Sequence, residues 1–261
     1  MCLIALAYRA HPDFELVIAA NRDEYHARPT APAAAWEDAP EVFGGRDLSQ
    51  GGSWLALSRE GRLACVTNVR RRVVPDPSAP SRGGLVASFV RGRQPARVFA
   101  DELRERAMAF AGFNLLLWDG RDLRYLNNHP RFLSREVPPG VHVVSNADLD
   151  TPWPKTEKLR RAMGAWVASG DGDETPLLAA LADRALAADA DLPDTGVGLE
   201  LERRLSPAFI VDPAYGTRCT TITTLGRDGA VRFTEWRFDP AGQLAGRTDT
   251  RWAMPPAGGP A

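Results

Sequence analysis

Two short apolar runs open the chain, Cys2 to Tyr8 and Phe14 to Ala20, and the turn-forming His11-Pro12-Asp13 between them predicts a β-hairpin. The second run gives way to four polar residues, Asn21-Arg22-Asp23-Glu24, at the exit of a hydrophobic strand, and the hairpin brings Cys2 beside them. The Pro/Ala-rich stretch from Arg28 to Pro40 reads as an irregular crossing. Trp54 to Ser58 and Arg62 to Thr67 flank Arg59-Glu60-Gly61 as a second hairpin that ends at Asn68. From Gly84 to Gly92 and from Pro95 to Phe110 the apolar residues recur at helical spacing, with Pro95 suited to a first turn. Strands are expected over Asn114 to Trp118, Leu123 to Leu126 and Val141 to Ser145, then a helix from Trp153-Pro154 to about Ala168 and an Ala/Leu-rich helix over Thr175 to Ala188. Thr220 to Leu225 and Ala230 to Phe238 bracket Arg227-Asp228-Gly229 as a last hairpin. This order predicts an α+β protein with layered sheets and helices on their outer faces. Neither a repeat nor a linker divides the chain, so one domain is expected over residues 1–252, followed by a Pro/Gly-rich disordered tail over 253–261.

Composition narrows the class of function. The 261 residues carry 32 basic against 33 acidic side chains, a formal net charge of -1, which points to neither a nucleic-acid partner nor a membrane surface. No apolar run approaches the roughly 20 residues of a membrane span, and the opening run lacks the length and basic flank of a signal peptide, so a cytoplasmic location is expected. The cysteines Cys2, Cys65 and Cys219 are odd in number and unpaired in spacing, which argues for free thiols rather than disulfides or a metal site. His11, His26, His129 and His142 show no metal-ligand spacing either. Gly44-Gly45 and Gly51-Gly52 lack phosphate-loop spacing and read as tight turns.

Cys2 is the residue with the sharpest chemistry. Removal of the initiator methionine before a small residue would put a thiol and a free α-amine on one residue. A thiol is a weak nucleophile at its free pKa of about 8.5, whereas an amine with a pKa near 8 is partly neutral and serves as base. The plain alternative is a small hydrophobe beginning an edge strand.

Asn21-Arg22-Asp23-Glu24 does not stand alone. It accompanies Met1-Cys2, Gly51-Gly52-Ser53-Trp54-Leu55, Thr67-Asn68, Ser81-Arg82-Gly83, Phe113-Asn114-Leu115-Leu116, Ser145-Asn146 with Pro152-Trp153-Pro154-Lys155, and Tyr215-Gly216-Thr217-Arg218, in order along most of the chain. In these blocks the sequence resembles the NRDE family, also called the transport-and-Golgi-organisation family. Its members look like Ntn hydrolases, which implies a four-layer αββα sandwich of Ntn-hydrolase type and, by analogy with its cysteine branch, hydrolysis or transfer at an amide or thioester. The resemblance also makes Gly44-Gly45 and Gly51-Gly52 a substrate-rim loop.

Carried onto this sequence, the resemblance implies a site of Cys2, Arg22, Asp23, Asn68, Asn146 and Arg218. Asp23 would orient the α-amine through a charged hydrogen bond, or else solvate a strand end. Arg22 and Arg218 would lower the thiol pKa or grip an anion, or else pair with Asp23 or Glu24. The Asn146 amide and a backbone N–H near Asn68 would hold an oxyanion, a donor worth roughly 3–4 kcal/mol in enzymes that use one. The family is also linked to haem trafficking and lipid metabolism, which implies a second possibility: a non-catalytic carrier of haem or acyl-coenzyme A in the same pocket, with the seven tryptophans partly lining it. No cofactor is required by either reading, and haem enters only as a bound ligand.

Overall fold

Every side chain of β1 (Leu3–Tyr8) is buried, which a strand achieves only when both of its faces are covered. Alternate residues feed different cores: Ile4, Leu6 and Tyr8 join one apolar cluster, and Leu3, Ala5 and Ala7 join another. Its antiparallel partner β2 (Phe14–Tyr25) divides the same way, Leu16, Ile18 and Ala20 against Val17 and Ala19. In the computed structural model, which describes residues 3–72, 76 and 78–254, this two-faced pair lies inside a stack of four layers.

One sheet has six strands. Beside β1 and β2 it contains β10 (Gly140–Val144), β11 (Tyr215–Gly226), β12 (Ala230–Phe238) and β13 (Leu244–Ala253), in the order β10-β1-β2-β11-β12-β13. The other has seven strands in sequence order: β3 (Thr30–Trp36), β4 (Ala39–Asp47), β5 (Leu55–Ser58), β6 (Leu63–Asn68), β7 (Phe113–Trp118), β8 (Leu123–Asn127) and β9 (Leu133–Glu136). All the pairings are antiparallel. Between the sheets, Ile4, Leu6 and Ile18 meet Leu55, Leu57, Leu63 and Leu116. Outside the larger sheet, α1 (Arg82–Arg91) and α2 (Ala96–Arg104) bring Leu85, Phe89, Phe99 and Leu103 onto Ala64, Val66 and Leu115. Outside the smaller one, α3 (Pro154–Ser169) and α4 (Thr175–Leu181) bring Leu159, Met163 and Leu177 onto Leu3, Ala5 and Val17. The expected αββα sandwich is therefore the fold.

Several local expectations give way to tertiary context. The stretch from Arg28 to Pro40 forms β3 and the start of β4 instead of an irregular crossing; β3 is an edge strand, where the missing N–H of Pro32 breaks no inner ladder. The helix predicted over Thr175 to Ala188 stops at Leu181, because the side-chain amide of Asn21 takes the Leu181 carbonyl at 2.8 Å. Beyond it Asp183 accepts the Phe209 N–H and Ser206 Oγ accepts the Ala187 N–H, contacts that an α-helix through these residues would not leave available. Strands β9 and β13 and the short helix α5 (Leu199–Arg204) went unpredicted. Ala253, expected to begin the tail, ends β13, and residues 255–261 lie outside the described residues.

Gly44-Gly45 is not a turn but part of β4, where a Cβ on Gly45 would stand 2.2 Å from the Trp54 ring. Two of the sequence blocks lock together. Ser53 donates its N–H to the Gly83 carbonyl at 3.1 Å, and a Cβ on Gly52 would stand 2.4 Å from the Gly83 carbonyl carbon. Backbone cannot swing aside as a flexible side chain can. Gly52→Ala is thus expected to lower unfolding free energy by about 1–3 kcal/mol in urea denaturation, as overpacking does; unchanged stability would mean that this approach is looser than described.

Asp150 ties β10 to α3. It accepts the Val143 N–H at 2.9 Å and Arg160 Nη1 at 3.0 Å and meets His142 Nδ1 at 2.7 Å. Burial alone would raise its pKa, but these hydrogen bonds prevail and hold it at about 2, below the ordinary 3.8. A depressed carboxylate contributes stability that is complete above its unfolded pKa and is lost as pH falls through the folded one. Acid unfolding should accordingly steepen between pH 3.8 and about 2, and Asp150→Asn should flatten that segment; a segment identical in the variant would refute the assignment.

Candidate functional site at the open end of the sandwich

The polar run at the end of β2 is sorted by the same alternation that builds the cores. Asn21 is fully buried, donates to the Leu181 and Ala208 carbonyls, and accepts Thr220 Oγ1 at 2.6 Å, so it anchors α4 and the chain before β11 to the sheet. Arg22 lies with its guanidinium carbon 4.2 Å from the centre of the Trp54 ring and Nη2 3.8 Å from Glu24. Its Nη1 is buried with no hydrogen-bond partner among the described residues. Asp23, on the opposite face, accepts Thr217 Oγ1 at 2.6 Å, and that hydroxyl in turn accepts the Ile210 N–H.

Arg218 occupies a β-bulge. Thr217 pairs with Asp23 and Cys219 with Arg22, so Arg218 is the extra residue between them. Its Nη1 donates to the Arg28 carbonyl at 2.6 Å and the Tyr25 carbonyl at 3.3 Å, holding the chain that leaves β2. Burial, and next the like charge of Arg22, push its pKa below the ordinary arginine value.

The two asparagines meet across the sheets. Asn146, just after β10, donates its side-chain amide to the Asn68 carbonyl at 2.9 Å. The next two N–H groups after Asn68 are already engaged, that of Val69 with Gly112 and that of Arg70 with Asn146, so neither is an oxyanion donor in this arrangement. Beneath them Thr67 Oγ1 donates to the Ser145 carbonyl, and Asn114 bonds Thr67 Oγ1, Tyr125 Oη and the Ala147 carbonyl. Phe113-Asn114 is thereby explained as a strut.

A cleft of about 870 Å³ opens here, and Asp23, Asn68 and Asn146 all line it. Its other walls are largely apolar and come from the connection between α4 and β11, including Leu186, Leu205, Phe209 and Val211. None of its lining residues is a tryptophan, contrary to expectation, because indoles are packed elsewhere, Trp118 between the sheets and Trp166 on the buried face of α3. A smaller cleft of about 350 Å³ shares Asn68 and is lined by Arg22, Ser53, Trp54 and Arg82. Arg218 lines neither cleft. Cys2 lies outside the described residues; Leu3, the next residue, opens β1 opposite Asn21, at the strand end where Arg22 and Asp23 follow.

Arg70 and Lys155 border the cleft and were not singled out as site residues. Arg70 forms a buried ion pair with Glu202 at 2.6 Å, reaches Asn146 Oδ1 at 3.4 Å, and stands 4.8 Å from the Trp153 ring. Lys155 donates to the Leu205 carbonyl at 2.9 Å, at the C-terminal end of α5. The run Arg70-Arg71-Arg72 resembles any solvated basic stretch, and only the distant Glu202 gives it meaning.

The described cysteines are poor nucleophiles. Burial pushes the Cys65 thiol up to about 12, and burial, followed by the Glu235 carboxylate, raises Cys219 further. Among the described residues no three His, Cys, Asp or Glu side chains gather as a metal site.

The fold is of Ntn-hydrolase type. Two crystal structures of conjugated bile acid hydrolase variants from Clostridium perfringens are similar to it, each with a TM-score of 0.50 and 7% identity over 97% of this chain and 92% of the other, a likeness of fold alone. The sequence matches the Transport and Golgi organisation 2 family over residues 1–240, and the chain belongs to that family. The Transport and Golgi organization protein 2 homolog of Bos taurus is 30% identical over 97% of this chain and 96% of its own length. The Homo sapiens homolog is 30% identical over 90% and 92%.

Removing Arg70 while leaving Glu202 buried should be severe. Arg70→Met is expected to lower stability by about 3–5 kcal/mol, and Arg70→Met with Glu202→Leu by much less than the two single changes summed. Additive losses in chemical denaturation would show the pair to be uncoupled.

Proposed function

We propose that this protein is a cysteine acyl-transfer enzyme acting on amides or thioesters. The observation that carries the reading is the convergence of Asp23, Asn68 and Asn146 on one cleft at the end of β1 where the chain begins. With Met1 removed, the Cys2 α-amine takes the thiol proton, helped by the Asp23 carboxylate. The thiolate attacks the substrate carbonyl, and the second N–H of the Asn146 amide steadies the oxyanion. The ammonium returns its proton to the departing amine or thiol, leaving an S-acyl enzyme that water or another acceptor discharges. Arg22, with a like-charged neighbour and an Nη1 unpartnered among the described residues, supplies the positive field that favours a thiolate.

A second reading is a carrier of haem or acyl-coenzyme A. It is favoured by the size of the cleft and by Arg71, Arg184 and Arg204 among its apolar walls, a set able to meet propionates or phosphates. Intact-mass measurement of the purified chain with dodecanoyl-coenzyme A, haem and iodoacetamide separates the two. Acyl transfer requires loss of Met1 and an acyl adduct that is absent from Cys2→Ala. Retained Met1, or non-covalent binding with no adduct, would eliminate the enzyme and leave the carrier.

A further inference from the structure

Among the described residues nine large apolar side chains are exposed, and four of them, Tyr25, Leu186, Leu201 and Val211, line the large cleft at 61%, 59%, 38% and 44% exposure. They come from the end of β2, the chain after α4, α5 and the chain before β11, so the fold gathers them from four places around one opening. Apolar groups collected in this way on a water-facing rim mark an interaction surface.

The polar residues on the rim say what kind. Arg71, Arg184 and Arg204 are interspersed with the four, and Tyr25 packs edge-to-face on Tyr215 with ring centroids 5.2 Å apart. Leucine and valine tips, amphipathic tyrosine rings and a long arginine are the composition of a footprint at a bilayer interface: the tips enter the acyl boundary, the rings sit among headgroups, and Arg71 meets phosphates, while Arg184 is held by the Gly242 carbonyl and Arg204 by Asp212. The nearby carboxylates Asp189, Glu200 and Asp212 are each paired with Arg203 or Arg204. With Arg184 and Arg204 engaged the face is not strongly cationic, so anionic lipid should strengthen binding without being essential.

Although the overall charge balance does not point to a membrane surface, the exposed apolar rim does, and we infer that the mouth of this cleft docks on a phospholipid surface, through which an apolar ligand passes between bilayer and protein without crossing water. The inference is independent of whether Cys2 reacts.

The test is co-sedimentation of the full chain with vesicles of phosphatidylcholine alone and mixed with phosphatidylglycerol. Wild-type protein should bind both, the mixed vesicles more strongly. Leu186→Asp with Val211→Asp should weaken binding to both at least tenfold, a loss of about 1.4 kcal/mol or more. Both residues are exposed, and an unchanged thermal melt checks that the variant is folded. Arg71→Glu should reduce the preference for the mixed vesicles, and Leu133→Asp, on β9, should change nothing. The proposal fails if wild-type protein stays in solution, or if Leu133→Asp weakens binding as much as the paired change. It fails equally if ultracentrifugation finds a dimer that the paired change dissociates, because the face would then belong to a second copy.

Discussion

The ladder between β1 and β2 is the constraint on which the rest depends. Its register, Leu3 against Asn21 through Tyr8 against Leu16, decides which side chains enter the inter-sheet core and which enter the core beneath α3 and α4. A slip of one residue would exchange the two sets and turn each apolar residue from the cluster it fits to one it does not. With roughly 1.5–3 kcal/mol at stake for each large aliphatic side chain, the register has no close competitor. The same register carries past Ala20 into the polar residues. Because the strand cannot slip, Arg22 is held over Trp54 and Asp23 is held against Thr217 on the other face.

Burying that much polarity at one strand end requires compensation, and it comes from β11. Thr220 meets the Asn21 amide and Thr217 meets Asp23, both in pairing register, while the bulge at Arg218 lets Thr217 and Cys219 pair with adjacent residues of β2. The compensation is incomplete at Arg22. Its Nη1 has no acceptor among the described residues, its carboxylate neighbour Glu24 stands 3.8 Å away, and its own charge helps burial to push the pKa of the nearby Arg218 below the ordinary arginine value. A buried donor left unmet is unfavourable by about 1–3 kcal/mol, and structures tolerate such sites mainly where function uses them.

What could be read beforehand follows from how local each signal is. The opening hairpin, the helix at Pro154 and the final hairpin were legible because period and turn chemistry agreed. Edge strand β3 was hidden by its prolines, which are harmless at an edge, and the end of α4 was hidden because Asn21, far away in sequence, intercepts its last carbonyl. The positions of Arg22, Asp23, Asn68 and Asn146 came only from the resemblance, since no periodicity distinguishes an asparagine that caps a strand from one that bridges two sheets. Arg70 escaped both routes, because its partner Glu202 is reached only through the chain after α4.

The division of labour between strands and connection bears on what such a site can recognise. The groups suited to chemistry stand on strand ends fixed by two cores, whereas most of the cleft wall comes from the connection between α4 and β11. Rigid elements keep reacting atoms in place, and connecting segments tolerate replacement without disturbing them. The same layered strands can therefore carry different connections, and with them different cleft walls. In this chain Arg70 and Lys155 join the two parts: one ties Asn146 to Glu202, the other holds the end of α5 through the Leu205 carbonyl. Leu201, Arg204 and Leu205 at α5 line the cleft together with Arg70 and Asn146, so the wall supplied by the connection and the strand-end asparagine are tied through one buried ion pair.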